Sequence, residues 1–371
     1  LNKYLQDIDG STINGELVFK LYDTYGFPID LTEDIAREKG YIVDKDGYDK
    51  FMAIQKTKAK TSSNFKKSVN KLNLNSILNK TSFMGYDSLQ NQGKILGLYV
   101  EGESVPTVHE SQEAIVILDK TTLYAESGGQ VGDRGRLNSE NSKFDVIDTK
   151  KQGEVFLHYG HVDEGSFSLG EEVNVRVENE SRSAITLNHS ATHLLHAALR
   201  NILGDHVVQK GSLVEADRLR FDFSHPEPIT DELIRQISNV VNSQIRKNTK
   251  VDISITSLND AKEAGALALF GEKYDNEVRV LSMGEENFSV ELCGGTHVNQ
   301  TGDIGLLLIT AEYGIASGVR RIEAVTGVEA LKHIEKNQTI LSKAAKTLKT
   351  DIQDLPVRID QILSNQRKLE K

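Results

Sequence analysis

The sequence contains a single cysteine, no tryptophan and only five prolines among its 371 residues. One cysteine cannot form an intramolecular disulfide, so a disulfide-stapled secreted scaffold is excluded and a reducing compartment is indicated. No apolar run approaches the ~20 residues that a membrane-spanning helix needs, and no signal-peptide pattern is present. These absences predict a cytoplasmic globular protein without a membrane partner.

Acidic residues outnumber basic ones: the sequence has 54 Asp and Glu residues but 44 Lys and Arg residues, so the formal net charge is −10. This balance excludes a uniformly basic nucleic-acid coat, although a local basic stripe is enough to bind RNA. The segment 56–80 is a candidate stripe, since it holds seven lysines and no acidic residue. It is either an RNA contact or a solvated surface segment, and the sequence leaves both open.

The length and the change of pattern along the chain predict an α+β protein of two or three domains. Residues 1–80 have helical periodicity, with helices expected at 15–25, 30–40 and 45–60. Residues 81–180 carry short apolar runs separated by Gly, Asn and Asp turns, which predict a small β-barrel.

The second half combines both patterns. Residues 181–327 predict helices that cover one face of a mostly antiparallel sheet. The expected helices are 190–203, 230–247 and 259–269, and the expected strands are 207–214, 219–223, 251–255, 278–281, 289–292 and 304–310. Residues 328–371 carry an apolar heptad pattern that Pro356 interrupts. Because a proline inside a helix costs ~3 kcal/mol, this pattern predicts a helical hairpin with its turn at 351–356.

Two short motifs place metal-binding side chains four positions apart. His189 and His193 lie in a stretch that reads as helix, so they share one helix face. Cys293 and His297 flank a Gly-Gly pair that favours a tight turn. Three imidazoles and a thiolate form a tetrahedral zinc set, and sulfur disfavours magnesium, calcium and manganese. The sequence therefore predicts one zinc ion per chain.

A plainer interpretation is that the histidines are simply exposed or hydrogen-bonded and that the cysteine is a small buried hydrophobe. The first motif also lacks the Glu of His-Glu-x-x-His, so the general base of a metalloprotease is missing. His196 falls on the same helix face as the two ligand histidines. Since four ligands are already present, we expect it in the core or beside the ligands.

Further motifs accompany these two. They are Leu21-Tyr-Asp-Thr-Tyr-Gly-Phe-Pro28, Tyr124-Ala-Glu-Ser-Gly-Gly-Gln-Val-Gly-Asp133, Gly204-Asp-His-Val-Val-Gln-Lys-Gly-Ser-Leu213, Arg220-Phe-Asp-Phe-Ser-His225 and Ile315-Ala-Ser-Gly-Val-Arg-Arg-Ile-Glu323. Together with the metal motifs they resemble the alanyl-tRNA synthetase family, and the resemblance covers essentially the whole chain.

The resemblance implies an organisation. Residues 1–80 would be the helical end of the tRNA-recognition region, and 81–180 the β-barrel subdomain of the editing domain. Residues 181–327 would be the zinc-binding α+β editing core, and 328–371 the start of a coiled coil. The chain begins at Leu, not Met, and ends inside a helical pattern. We therefore expect a fragment.

The resemblance also implies a reaction. The full-length parent ligates alanine to tRNA(Ala) with ATP, but the class II motifs that bind ATP and alanine are not found in this chain, so it is not expected to aminoacylate. We expect zinc-dependent hydrolysis of tRNA(Ala) mischarged with Ser or Gly, that is, an aminoacyl-tRNA deacylase.

Individual residues carry roles only through the resemblance. It implies that Thr121 recognises the serine hydroxyl, that Gln209 orients water or substrate, and that Gln130 faces the same pocket. Arg320 and Arg321 could bind phosphates of the tRNA 3′ end. Their plainer role is a surface ion pair with Glu323.

Two other functions remain in competition. One is a structural-zinc tRNA-binding module without hydrolytic activity, because a closed set of four ligands is usually structural. The other is a metal hydrolase acting on small esters or peptides, against which the missing His-Glu-x-x-His weighs.

Overall fold

Two structural units divide the chain: Leu1–Leu78 with Glu101–Ser104, and Asn79–Val100 with Val105–Lys371. The structure is a computed structural model. It describes residues 12–15, 17–18, 32, 36–37, 39, 41–45, 47–48, 72, 80–263, 265–267 and 276–369.

The first unit contains two short parallel strands, β1 (Thr12–Ile13) and β2 (Ile42–Val43). Its described core consists of Ile13, Val18, Ala36 and Tyr48. Described residues in each of the three predicted helices are helical, at 15, 17–18, 32, 36–37, 45 and 47–48. The strand pair was not foreseen. Within the lysine stripe 56–80, only residues 72 and 80 are among those described.

The predicted β-barrel is confirmed in the second unit. The strands of this stretch of chain are β3 (Ser82–Phe83), β4 (Gln90–Val100), β5 (Glu103–Ser104, which belongs to the first unit), β6 (Thr107–His109), β7 (Glu113–Leu118), β8 (Lys120–Thr121), β9 (Gly135–Asn138), β10 (Lys143–Gln152), β11 (Val155–Glu164), β12 (Ser166–Ser168) and β13 (Glu172–Val177). Six antiparallel strands follow the order β13-β9-β10-β11-β7-β4, and pairing of β13 with β4 closes the ring.

Alternation of buried and exposed side chains along the strands explains why the barrel has an apolar interior. In β13 the three valines are buried and the residues between them are exposed, because successive strand residues point to opposite faces. The apolar interior includes Ile95, Leu98, Val116, Leu118, Leu137, Phe144, Phe167 and Val175. The sequence pattern does not indicate strand β9, since its Gly-Arg-Leu-Asn sequence follows a glycine-rich loop and shows no apolar alternation.

The region after the barrel alternates helices and strands. They are α1 (Asn179–Leu203), β14 (Gln209–Val214), β15 (Leu219–Ser224), α2 (Asp231–Arg246), β16 (Asp252–Ser257), α3 (Leu258–Glu263), β17 (Glu277–Met283), β18 (Ser289–Leu292), β19 (Leu307–Ala316) and β20 (Val319–Thr326). The strands form two antiparallel sheets, β14-β15-β20-β19 and β16-β17-β18.

The expectation of a single sheet was therefore wrong. Helix α1 contacts strands of both sheets, and one apolar core contains residues of α1, α2 and both sheets. A helix that is buried nearly all round, as α1 is from Asn188 to Leu199, needs partners on more than one side. Two sheets supply those partners.

Two helix boundaries and one strand also differ from the prediction. Helix α1 begins at Asn179 and not near Ser190, because the preceding residues contain no Gly or Pro to stop it. Helix α3 ends at Glu263, and Gly265 adopts φ 82°, which terminates the helix before the predicted end. Strand β20 was not foreseen, although it lies inside its sheet between β15 and β19.

The heptad segment forms two helices, α4 (Gly327–Leu348) and α5 (Leu355–Leu369), which contact one another as predicted. Lys349 has φ 53° at the end of α4. Pro356 is the second residue of α5, where its missing N–H does not interrupt a helical hydrogen bond. Ala345 and Leu355 are buried, whereas Leu331, Ile334 and Ile359 are exposed. Among the helices described, none has the length and apolar character needed to span a membrane.

Candidate metal centre

The two predicted motifs meet in space. His189 and His193 lie on α1, and Cys293 and His297 lie on the turn that follows β18. Their ligand atoms are all within 4.8 Å of one another. The first three side chains are buried and His297 is half-buried. The structure therefore brings together all four residues that the spacing predicted, although they come from segments 104 residues apart.

The turn needs glycine at Gly295. A Cβ placed there would lie 2.2 Å from Cε1 of His189 and 2.9 Å from Oε1 of Gln130. The backbone N–H of Gly295 also points to Sγ of Cys293, at 3.4 Å. The turn can hold the thiol and the histidine ring this close only because the position has no side chain.

Two side chains hold the turn from its other side. Arg279 on β17 donates to the carbonyl of Cys293 at 2.9 Å and to that of Gly295 at 3.0 Å. The hydroxyl of Tyr86 donates to the carbonyl of Gly294 at 2.7 Å. The Arg279 guanidinium lies 4.3 Å from the centre of the Tyr86 ring. Three consecutive carbonyls are thus fixed, which restricts the backbone of the turn.

The imidazoles are oriented through their Nδ1 atoms. Nδ1 of His189 donates to Oε1 of Gln130 at 2.8 Å, and Nδ1 of His297 lies 3.3 Å from Oγ of Ser190. Nε2 of His189 and of His297 then face Sγ of Cys293, at 3.5 and 3.2 Å.

The third imidazole has an unsatisfied atom. Nε2 of His193 is buried and has no hydrogen-bond partner. A buried nitrogen without a partner is costly unless something else binds it. Three imidazole nitrogens and one sulfur at this separation fit a tetrahedral zinc ion, which would satisfy that nitrogen.

The electrostatics of the thiol agree with this fit. Burial alone would raise the pKa of Cys293, but the neighbouring His189, His297 and His193 lower the pKa of its thiol well below the ordinary value. The thiolate is the form of cysteine that binds metals.

Gln130 reaches the centre from the loop between β8 and β9, which contains Gly128, Gly129 and Gly132. It is fully buried. Besides His189, its Oε1 accepts the backbone N–H of Thr296 at 2.9 Å, and its Nε2 donates to Oγ1 of Thr296 at 2.9 Å. The prediction placed Gln130 at the pocket, and in the structure it joins the helix histidine to the cysteine turn.

No hydrogen bond joins the other two residues predicted for the pocket to the four clustered residues. Thr121 is fully buried in the barrel, where its hydroxyl accepts the N–H of Leu123 at 3.1 Å and lies 3.0 Å from Nε2 of His158. Burial lowers the pKa of His158 to about 4, so this ring is neutral at pH 7. Gln209 begins β14 and is half-buried. Their roles toward a substrate stay predictions.

The two arginines have partners other than the one expected. Arg320 pairs with Glu312, and Arg321 donates to Asp222 at 2.6 and 2.8 Å. The plainer alternative, an ion pair with Glu323, is not formed by either arginine; the Glu323 carboxylate accepts the hydroxyl of Tyr313. Consecutive residues on β20 also point to opposite faces of the sheet, so the two guanidinium groups cannot act on one phosphate together.

His196 lies beside the ligands, as expected, and is not one of the clustered four. Sequence reasoning missed Tyr86, Arg279, Ser190 and Glu291. The only available signal was for Glu291, an acidic residue inside the short apolar run that precedes Cys293.

Two family models match the chain. That of class II (A) tRNA synthetases matches residues 1–181, and that of the threonyl and alanyl tRNA synthetase second additional domain matches residues 278–323. The second match contains Cys293 and His297. Two separate regions of the chain are thus similar to tRNA synthetase families.

Whole-chain comparisons are more specific. The chain is 51% identical over 371 residues to an alanine--tRNA ligase of Pseudomonas fluorescens, and 50% identical over 371 residues to one of Saccharophagus degradans. Each match covers 100% of this chain and 42% of the relative. The resemblance to alanyl-tRNA synthetase is confirmed, and the chain spans less than half the length of these curated relatives.

Proposed function

We propose that this chain is the editing part of an alanyl-tRNA synthetase and hydrolyses Ser-tRNA(Ala) and Gly-tRNA(Ala) in a zinc-dependent reaction. The observation that carries the proposal is the convergence of three histidines and one cysteine in a chain related over its whole length to alanine--tRNA ligases.

The physical need for such a reaction is clear. Glycine is smaller than alanine, so an alanine pocket cannot exclude it, and an apolar pocket rejects the added hydroxyl of serine only weakly. A second, hydrolytic site then has to remove the wrong amino acid from the tRNA.

The ester bond to the ribose has to be attacked by water, and the developing oxyanion has to be stabilised. A bound zinc ion would supply Lewis acidity for one of these tasks. The residues of the chain position the ligands: Gln130 holds His189, Ser190 contacts His297, and Arg279 with Tyr86 fixes the turn. Gln209 is proposed to orient water or substrate, since its amide cannot act as a base near neutral pH.

Recognition of the substrate is proposed for three further residues. Thr121 would bind the serine hydroxyl, for which its present contact with His158 has to be exchanged. Arg320 and Arg321 would contact the tRNA, each in competition with its acidic partner. The partner of the whole protein is proposed to be tRNA(Ala), and its compartment the cytoplasm.

A structural-zinc module that binds tRNA without hydrolysis is the second candidate. It is favoured by one specific observation, namely that four potential metal-binding side chains converge, because four protein ligands are the number that a closed structural zinc site uses. Hydrolysis at such a centre requires a fifth ligand or the departure of one of the four.

The deciding experiment is single-turnover deacylation of Ser-tRNA(Ala) with and without a zinc chelator. We expect hydrolysis above a blank, its loss with the chelator and its recovery on adding zinc. Cys293→Ala should lower both the zinc occupancy and the deacylation rate. We expect the rate to fall at least about 100-fold, since replacing even a residue that only orients a metal ligand lowers metal affinity or activity by about 10–100-fold.

His109→Ala is the matched control, because His109 is exposed on the short strand β6, which pairs with β12 outside the six-stranded barrel, and the change should leave both quantities unchanged. If the wild-type protein retains zinc but cleaves Ser-tRNA(Ala) no faster than the blank, the structural-zinc module is the correct function.

Aminoacylation is proposed to be a property of the full-length parent only. We expect no alanine-dependent exchange between ATP and pyrophosphate, because the class II motifs for ATP and alanine were not found in this sequence. Exchange above the blank would contradict the assignment of the chain to the editing half.

A further inference from the structure

Glu291 is a buried carboxylate beside the metal centre. It lies on β18, two residues before Cys293, and only 2% of it is exposed. An isolated carboxylate in such a position is strongly disfavoured, so its partners have to compensate for the lost water.

Both of its oxygens are bound by imidazoles of α1. Oε2 lies 2.7 Å from Nδ1 of His193, and Oε1 lies 2.9 Å from Nδ1 of His196. The two histidines are three residues apart, so the helix presents them on one face toward the strand. Ser289 adds a longer contact to Oε1 at 3.4 Å.

This arrangement fixes the state of His193. With Nδ1–H donated to Glu291, the lone pair of the ring is on Nε2, and Nε2 is the buried atom without a partner in the centre. The carboxylate therefore sets the tautomer that a metal ligand needs.

The charge of the centre gives Glu291 a second role. A divalent ion bound by one thiolate and three neutral imidazoles keeps one excess positive charge. Buried excess charge is costly, and the carboxylate, one imidazole ring away from the ion, would cancel it.

His196 completes the arrangement without being a ligand. Its ring is 4% exposed and packs 5.2 Å from the ring of Phe221, and its Nε2 is a second buried atom without a hydrogen-bond partner. If this side chain only filled space, an apolar side chain would be more stable there, because it would bury no unpaired polar atom. The one polar contact found for His196 is the one that holds Oε1 of Glu291.

We propose that Glu291 is a positioning residue of the metal centre that orients His193 and balances the charge of the ion, and that His196 holds Glu291 in place. The inference rests on the metal binding that the proposed function requires, but on no substrate. Its test therefore measures zinc and not hydrolysis.

The first variant is Glu291→Gln, which keeps the shape but removes the charge and one of the two acceptors. We expect its zinc dissociation constant, measured by competition with a chromophoric chelator, to rise about 10–100-fold. Glu277→Gln on the adjacent strand β17 is the matched control, because Glu277 is exposed and should keep the wild-type affinity. Wild-type affinity in Glu291→Gln would overturn the proposal.

A pair of variants tests His196 even if Glu291→Gln does not fold. Asparagine places its amide nitrogen where Nδ1 was and keeps the donor, whereas leucine fills the space and removes it. We expect zinc affinity within about 3-fold of wild type in His196→Asn and a loss of about 10-fold or more in His196→Leu. The absorption bands of the cobalt-substituted protein should shift in the same order.

The reverse order, with leucine the better replacement, would show that His196 only fills space and would overturn its part of the proposal. A wild-type chain that binds no zinc would instead refute the proposed metal centre itself, so the two failures are distinguishable.

Discussion

Gly295→Ala is expected to abolish zinc binding while leaving most of the fold intact. The added methyl group would lie 2.2 Å from the His189 ring and 2.9 Å from Gln130. Neither neighbour can move freely, because Gln130 is held by Thr296 and His189 is buried on α1 and hydrogen-bonded to Gln130. We expect zinc affinity to fall at least about 100-fold and unfolding free energy to fall by about 1–3 kcal/mol.

The chain offers a closely matched control at the preceding residue. A Cβ on Gly294 would meet nothing nearer than the Tyr86 hydroxyl at 4.0 Å. Gly294→Ala should therefore bind one zinc per chain. Elemental analysis measures the zinc content of both variants, and competition with a chelator measures their zinc affinity. Equal zinc content in the two would contradict the close approach of the turn to His189.

Arg182→Met is expected to cause the largest loss of stability. Arg182 is buried near the start of α1 and pairs with Asp133, of which only 1% is exposed. It also donates to the carbonyl of Gly85 at 2.8 Å and to that of Thr122 at 2.7 Å. Methionine fills a similar space but leaves a buried charge and two carbonyls without their donor. Removing one partner of a buried ion pair lowers the free energy of unfolding by about 3–5 kcal/mol.

Urea unfolding followed by circular dichroism measures this loss. Arg176→Met is the control, because Arg176 is exposed on β13 and a surface change of this kind stays within about 0.5 kcal/mol. If Arg182→Met unfolds within about 1 kcal/mol of wild type, the buried pair does not join α1 to the barrel loops. Because α1 carries two of the four ligands, the variant should also retain zinc less well.

Local patterns predicted a large part of this protein. Alternation of apolar and polar residues indicated the barrel strands, and Pro356 indicated the break between the last two helices. A spacing of four residues indicated both halves of the candidate metal centre. The clustering of the four residues could be predicted because the chemistry of zinc restricts the residue types and because each half is a short motif with its own geometry.

The meeting of distant segments depends on tertiary packing. Gln130, Arg279 and Tyr86 hold the centre through contacts that span up to 208 residues, and no spacing in the sequence indicates them. The partners of Arg320 and Arg321 likewise follow from strand pairing, since register decides which side chains face each other across a sheet. Residue type and spacing identify which atoms can bind a metal. The packing of α1 against two sheets and the barrel decided which atoms orient them, because orientation depends on side chains that approach from separate elements.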